Sequence, residues 1–176
     1  MTREQLEHVI RAASAIAEDE HIIVIGSQSV LGQFPDAPAE LLRSMEADVF
    51  PRTHPERAEL IDGSIGELSP FHRTFGYYGQ GVAETTAVLP TGWRERLVPV
   101  NNPRTRGATG WCLEVHDLAV SKYVANREKD REFVRALIRN GLVSRDVLEA
   151  RWAGTEVEDG VRAAIDPKIA ADFDAA

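Results

Sequence analysis

The sequence predicts an α/β (α+β) fold: a mixed β-sheet with flanking helices, followed by a helical C-terminal segment. Two observations carry that prediction. As far as Val115, short β-branched or aromatic runs bounded by Gly, Pro and Asn alternate with stretches of helical period. From His116 onward, apolar residues recur only at three- and four-residue spacing. The 176 residues thus divide into a sheet domain, 1–115, and a helical segment, 116–176, expected to pack as one structural unit.

Residues 2–19 fit an amphipathic helix, with Leu6, Val9, Ile10, Ala13, Ile16 and Ala17 on one side and Thr2 and Gln5 placed for a capping box. His21–Ile25 is nearly all apolar and β-branched, as expected of a central strand buried on both faces. Gly26-Ser27 ends it, and Gln28–Gln33 reads as a short helix. A loop with Pro35 and Pro38 and a helical turn at Ala39–Arg43 lead to a second strand, Ser44–Phe50, stopped by Pro51. Pro55–Leu68 reads as a helix, and the aromatic, glycine-rich Ser69–Gly81 as a loop entering a strand. Further strands are expected at Val82–Leu89, Leu97–Val100 and Trp111–Val115. Helices follow from Asp117, a candidate N-cap or first-turn acid, then at Lys129–Arg139, closed by Asn140-Gly141, and after Ser144. Two short helices, Val157–Ile165 and Lys168–Phe173, complete the chain.

Composition narrows the function. A net charge of −8 argues against broad, sequence-independent nucleic-acid binding, which needs a basic surface. Only the loop with Arg104 and Arg106 is locally basic. The single cysteine, Cys112, lies in an apolar run and reads as a buried, inert thiol; it leaves no disulfide framework and no cysteine-rich zinc site. His8, His21, His54, His72 and His116 lack metal-ligand spacing. No Gly-x-Ser-x-Gly elbow, Walker-type loop or Rossmann glycine pattern is present. The N-terminus carries acids throughout and no long apolar core, so a soluble, cytoplasmic protein is expected, without a membrane partner.

The stretch that carries chemistry is His21–Arg52. Glu46 and Asp48, one residue apart on a strand, project from the same face. Two adjacent carboxylates repel unless a cation sits between them. The Gly26-Ser27 turn brings backbone N–H groups and a hydroxyl to the same end of the sheet, which suits a phosphate. Each feature has a plain structural alternative: a bare turn for Gly26-Ser27, and edge-strand charges for the acids. Together, a buried strand, Gly-Ser, a helix and acid-x-acid before a proline resemble the signature of the polymerase-β-like nucleotidyltransferase superfamily.

That resemblance implies a nucleotidyltransferase-like fold and a Mg²⁺- (or Mn²⁺-) dependent transfer of a nucleotidyl group from an NTP to a hydroxyl. It makes Glu46 and Asp48 the metal ligands and Gly26 and Ser27 contacts of the triphosphate. The acceptor is left open among tRNA, protein and a small molecule. Residues 117–134, DLAVSKYVANREKDREFV, look like the segment after the sheet in bacterial nucleotidyltransferases of the abortive-infection toxin type and their uncharacterised relatives. The likeness makes Lys122 and Arg127 nucleotide-binding residues, Lys122 with a catalytic part. Asp130 becomes an active-site acid or an orienter of Lys122. It also implies an antitoxin or homo-oligomer partner. As plain alternatives, Lys122 and Arg127 are solvated helix charges and Asp130 a first-turn acid favoured by the helix dipole.

The sequence departs from the pattern at three points. Glu46 stands where Asp is usual. Eighteen residues separate Ser27 from Glu46, more than in minimal members. A third carboxylate is not obvious; Glu84 and Glu114 are the candidates, with Glu84 the expected third metal ligand. These departures keep open a catalytically inactive nucleotidyltransferase-like domain that binds a nucleotide or a protein. His72-Arg73 with Phe75, Tyr77 and Tyr78 could stack a base, and Trp93, Arg94 and Arg96 could line an acceptor pocket, although packing accounts for both groups.

Overall fold

A computed structural model describes residues 1–175. Five strands form one open mixed sheet in the order β3-β2-β1-β5-β4. Helix α1 (Arg3–Ala17) begins at Thr2, whose side chain accepts from the Gln5 N–H while the Gln5 side chain caps in return. Its buried stripe, Leu6, Val9, Ile10, Ala13 and Ala17, packs on the sheet. Strand β1 (His21–Val24) is central, and Ile22, Ile23 and Val24 are fully enclosed. β2 (Glu46–Pro51) runs antiparallel to β1, with Val24 opposite Val49. β3 (Tyr78–Gly81) lies parallel to β2. On the other side, β5 (Thr109–Cys112) is parallel to β1 and pairs antiparallel with β4 (Val98–Val100).

Two helices cover one face of the sheet. A Cβ on Gly79 would stand 2.8 Å from Val9 of α1 and 2.9 Å from Ile65 of α3 (Ala58–Ile65), and one on Gly110 would stand 2.4 Å from Ile10. Those strand positions are glycine because the helices press on the backbone there. Strand alternation directs Ala47 and Val49 to the same face and Glu46 and Asp48 to the opposite one. There the C-terminal helices α5 (Val115–Ala125), α6 (Glu128–Arg139), α7 (Arg145–Ala153) and α8 (Asp159–Asp174) gather. One apolar core runs from Leu6 to Ile169. Among the described residues, no helix is long and apolar enough to cross a membrane.

Several elements differ from expectation, each for a local reason. The strand expected at 82–89 is displaced: β3 ends at Gly81, the Val82 N–H makes the last bond to the Val49 carbonyl, and Glu84–Thr86 form a 3₁₀ turn. The expected loop after Ser69 contains helix α4 (Pro70–Phe75), opened by a Ser69 side-chain cap with Pro70 at the first position, and ended by left-handed Gly76. Of the two places expected for Asp117 it takes the first turn of α5; the cap is Glu114, whose carboxylate accepts from the His116 N–H. Asp117 is buried between Arg96, with bonds of 2.8 and 3.0 Å, and Arg151 at 3.4 Å. The two expected terminal helices are one, α8, which passes through Pro167.

Candidate active site

The end of β1 and the start of β2 lie at the same edge of the sheet because the two strands are antiparallel. The Ile25 N–H donates to the Asp48 carbonyl at 2.9 Å. Gly26 follows with φ +64°, a left-handed conformation that glycine adopts without strain. A Cβ at Gly26 would stand 1.9 Å from Asp48 Oδ2. The glycine therefore lets the backbone turn and leaves room for the Asp48 carboxylate against it. Ser29 Oγ donates to the Gly26 carbonyl at 2.8 Å and fixes the 3₁₀ turn Ser27–Ser29, which leads into α2 (Val30–Gln33).

Ser27, Glu46 and Asp48 line one cleft of ≈ 930 Å³ with Gln80, Lys122, Arg127 and Asp130. Glu46 Oε2 accepts from the Tyr78 hydroxyl at 2.9 Å, and the Tyr78 ring rests against His72 at 4.5 Å between centroids. Asp48 is raised from the ordinary 3.8 to about 7: burial contributes most, then a hydrogen bond shared with Glu46 and repulsion from its charge. Lys122 and Arg127 pull the other way but do not prevail. Two neighbouring carboxylates lining one cleft, with Asp48 raised beside Glu46, form a site that a divalent cation would fit. Hard oxygen donors suit Mg²⁺, which keeps waters and substrate phosphates as its remaining ligands. Among the described residues, no group of three or more His, Cys, Asp or Glu is arranged to hold a metal ion.

Opposite the acids stands a triangle of charges from the junction of α5 and α6. Lys122 Nζ is 3.1 Å from Asp130 Oδ1, and Arg127 grips both oxygens of Asp130 through Nε and Nη2. Burial alone would raise Asp130, but the Arg127 bonds and the Lys122 charge outweigh it and hold the carboxyl below its usual range. Left-handed Asn126 ends α5 and turns the chain so that both cations face the same carboxylate.

The remaining candidates lie elsewhere. Glu84 forms an ion pair with Arg94 and does not line the cleft. Glu114 caps α5 and bonds His116 at 2.7 Å. Arg96 is held by Asp117, and Arg94 covers Trp93. Phe71, Phe75, Tyr77 and His8 pack on one another. Cys112 is fully buried, and burial pushes its thiol up to about 12.

Sequence reasoning missed Gln80 and the outer walls. Gln80 is paired in register with Asp48 on the neighbouring strand and lines the cleft. Its side-chain amide donates to Asp62 Oδ1. The only advance signal was its position two residues after an aromatic strand residue. One wall is the segment between Ser27 and Glu46: Glu40 accepts from Arg139 and from Asn140 at 2.8 Å each, binding that segment to α6. The other wall is α6, with Phe133, Arg135, Ala136 and Arg139.

The family model described as "nucleotidyltransferase of unknown function (DUF6036)" matches residues 4–165. No curated protein and no solved structure matches the chain.

Proposed function

The chain belongs to this family of nucleotidyltransferases of unknown function, and from that premise we propose that it transfers a nucleotidyl group from a Mg-bound NTP to a hydroxyl acceptor. The observation that carries the proposal is the Asp48 carboxylate seated against Gly26 in a cleft shared with Lys122 and Asp130. Glu46 and Asp48 would hold Mg²⁺, which when bound neutralises charge on the phosphates. Gly26 and Ser27 receive the phosphates through the turn, and Lys122 meets them from the α5 side. Asp130 has both oxygens engaged, so its part is to orient Lys122 and Arg127 and not to take a proton. The likeness of residues 117–134 to abortive-infection toxin enzymes extends this proposal to a cytoplasmic toxin role with an antitoxin or homo-oligomer partner. The acceptor hydroxyl would then lie on tRNA, protein or a small molecule.

Calorimetric titration of Mg·NTP into the wild type and Asp48→Ala tests the site, and transfer from radiolabelled NTP onto total RNA and protein tests the activity. Binding by the wild type, loss in Asp48→Ala and a labelled acceptor are expected; no binding by the wild type would overturn the proposal. A second reading, an inactive domain that binds a nucleotide or a protein, is favoured by Gln80 standing beside Asp48. It predicts nucleotide or protein binding without label transfer.

A further inference from the structure

Phe133 is the one aromatic side chain among the residues that line the cleft. The aromatic rings elsewhere are largely engaged. Phe71, Phe75 and Tyr77 pack with His8, and Tyr78 packs with His72. Trp93, Trp111, Trp152 and Phe173 each lie beneath an arginine. Phe133 pairs with no other ring among the described residues. Its ring partner is the Lys122 ammonium, 5.9 Å from the centroid. Helix α6 turns Asp130, Val134, Leu137 and Ile138 inward and leaves Phe133 partly buried at the cleft wall. Ala136, one turn further along, is small and also lines the cleft.

We propose that Phe133 is the platform on which the base of the bound nucleotide stacks; this rests on the nucleotidyltransferase function proposed above. Lys122 Nζ is 5.9 Å from the Phe133 centroid, so a nucleotide whose phosphates meet Lys122 would enter the cleft beside this ring. A partly buried ring in a polar cleft gains from being covered, and every base presents a π-face, so the platform supplies affinity without choosing among bases.

The test uses the full chain with Phe133→Leu, which keeps the apolar contact to the core but removes the π-face, and Phe133→Trp, which keeps it. Dissociation constants are measured for the Mg complexes of ATP, GTP, CTP and UTP, and for Mg·tripolyphosphate, which carries no base. Phe133→Leu is expected to weaken all four nucleotides by a similar factor, about 10-fold, and to leave tripolyphosphate unchanged. Phe133→Trp is expected to bind all four nucleotides like the wild type, with its indole fluorescence quenched on binding, and this decides the matter if Phe133→Leu does not fold. Wild-type affinity for the nucleotides in Phe133→Leu, an equal loss for tripolyphosphate, a loss confined to one base, or an unquenched indole would each overturn the platform. Failure of the wild type to bind any Mg·NTP would instead sink the parent proposal, so the two failures are distinguishable.

Discussion

Asp48 and Asp130 line the same cleft and meet opposite fates. Both are carboxylates largely removed from water, where burial alone raises a carboxyl. Asp130 is gripped by Arg127 and Lys122 and is held below the usual range. Asp48 is raised to about 7 by burial first, then by its hydrogen bond to Glu46 and the Glu46 charge. Burial pushes both acids up; it prevails at Asp48, where Glu46 adds to it, and is outweighed at Asp130, where Arg127 and Lys122 oppose it. Asp130 is a fixed anion that orders two cations. Asp48, with Glu46, is an unbalanced pair that a divalent cation would complete.

The largest effect expected from that contrast is on metal binding. Asp48→Asn should weaken Mn²⁺ binding, followed by electron paramagnetic resonance, by more than about 100-fold and abolish transfer, since Asp48 is proposed as a direct ligand and such a ligand counts for more than the groups around it. Asp130→Asn should leave Mn²⁺ binding within a few-fold of the wild type and weaken Mg·NTP binding. It should also cost roughly 1–3 kcal/mol in chemical denaturation, because Lys122 and Arg127 lose their charged partner. Equal loss of Mn²⁺ in both variants would erase the distinction between the two acids.

A smaller effect is the pH dependence of the metal-free protein. The folded Asp48 holds its proton up to about pH 7, whereas an ordinary aspartate loses it near 3.8. Between those values the folded state binds the extra proton, so stability should fall as pH rises, by at most about 1.4 kcal/mol per unit. Asp130 has the opposite sign: its contribution is present above about pH 4 and is lost as pH falls further. Denaturation curves at pH 5 and 8 in EDTA should show the first trend, and Asp48→Asn should abolish it. Added Mg²⁺ should restore stability at pH 8 more than at pH 5, because metal and proton compete for the same oxygens. A flat profile in the wild type would contradict a raised Asp48.

The smallest effect expected is from Gln80→Asp. A carboxylate beside Asp48 should raise the number of Mn²⁺ ions bound without nucleotide, counted by resonance titration, while the fold is unchanged. An unaltered count would show that Gln80 lies too far from the pair to act as a ligand.

Much of the scaffold was legible from local pattern. The apolar run at 21–25, the capping box at Thr2 and the Asn140-Gly141 stop each encode a neighbourhood of a few residues. The misplaced strand at 82–89 and the missed helix after Ser69 arose where Gly, Pro and aromatic residues satisfy several local conformations. There, pairing with β2 and the Ser69 cap decided the outcome.

By itself the sequence determined the Gly26-Ser27 turn, the Glu46-x-Asp48 pair on one face of a strand, and the helical placement of Lys122, because backbone periodicity fixes which side chains share a face. Only the tertiary structure decided what those residues meet. Strand register put Gln80 beside Asp48 and left Glu84 to Arg94. The α5–α6 junction closed Arg127 and Lys122 on Asp130. Glu40 tied the segment before β2 to α6. Contacts between segments so distant along the chain depend on register and helix packing, which no local pattern contains.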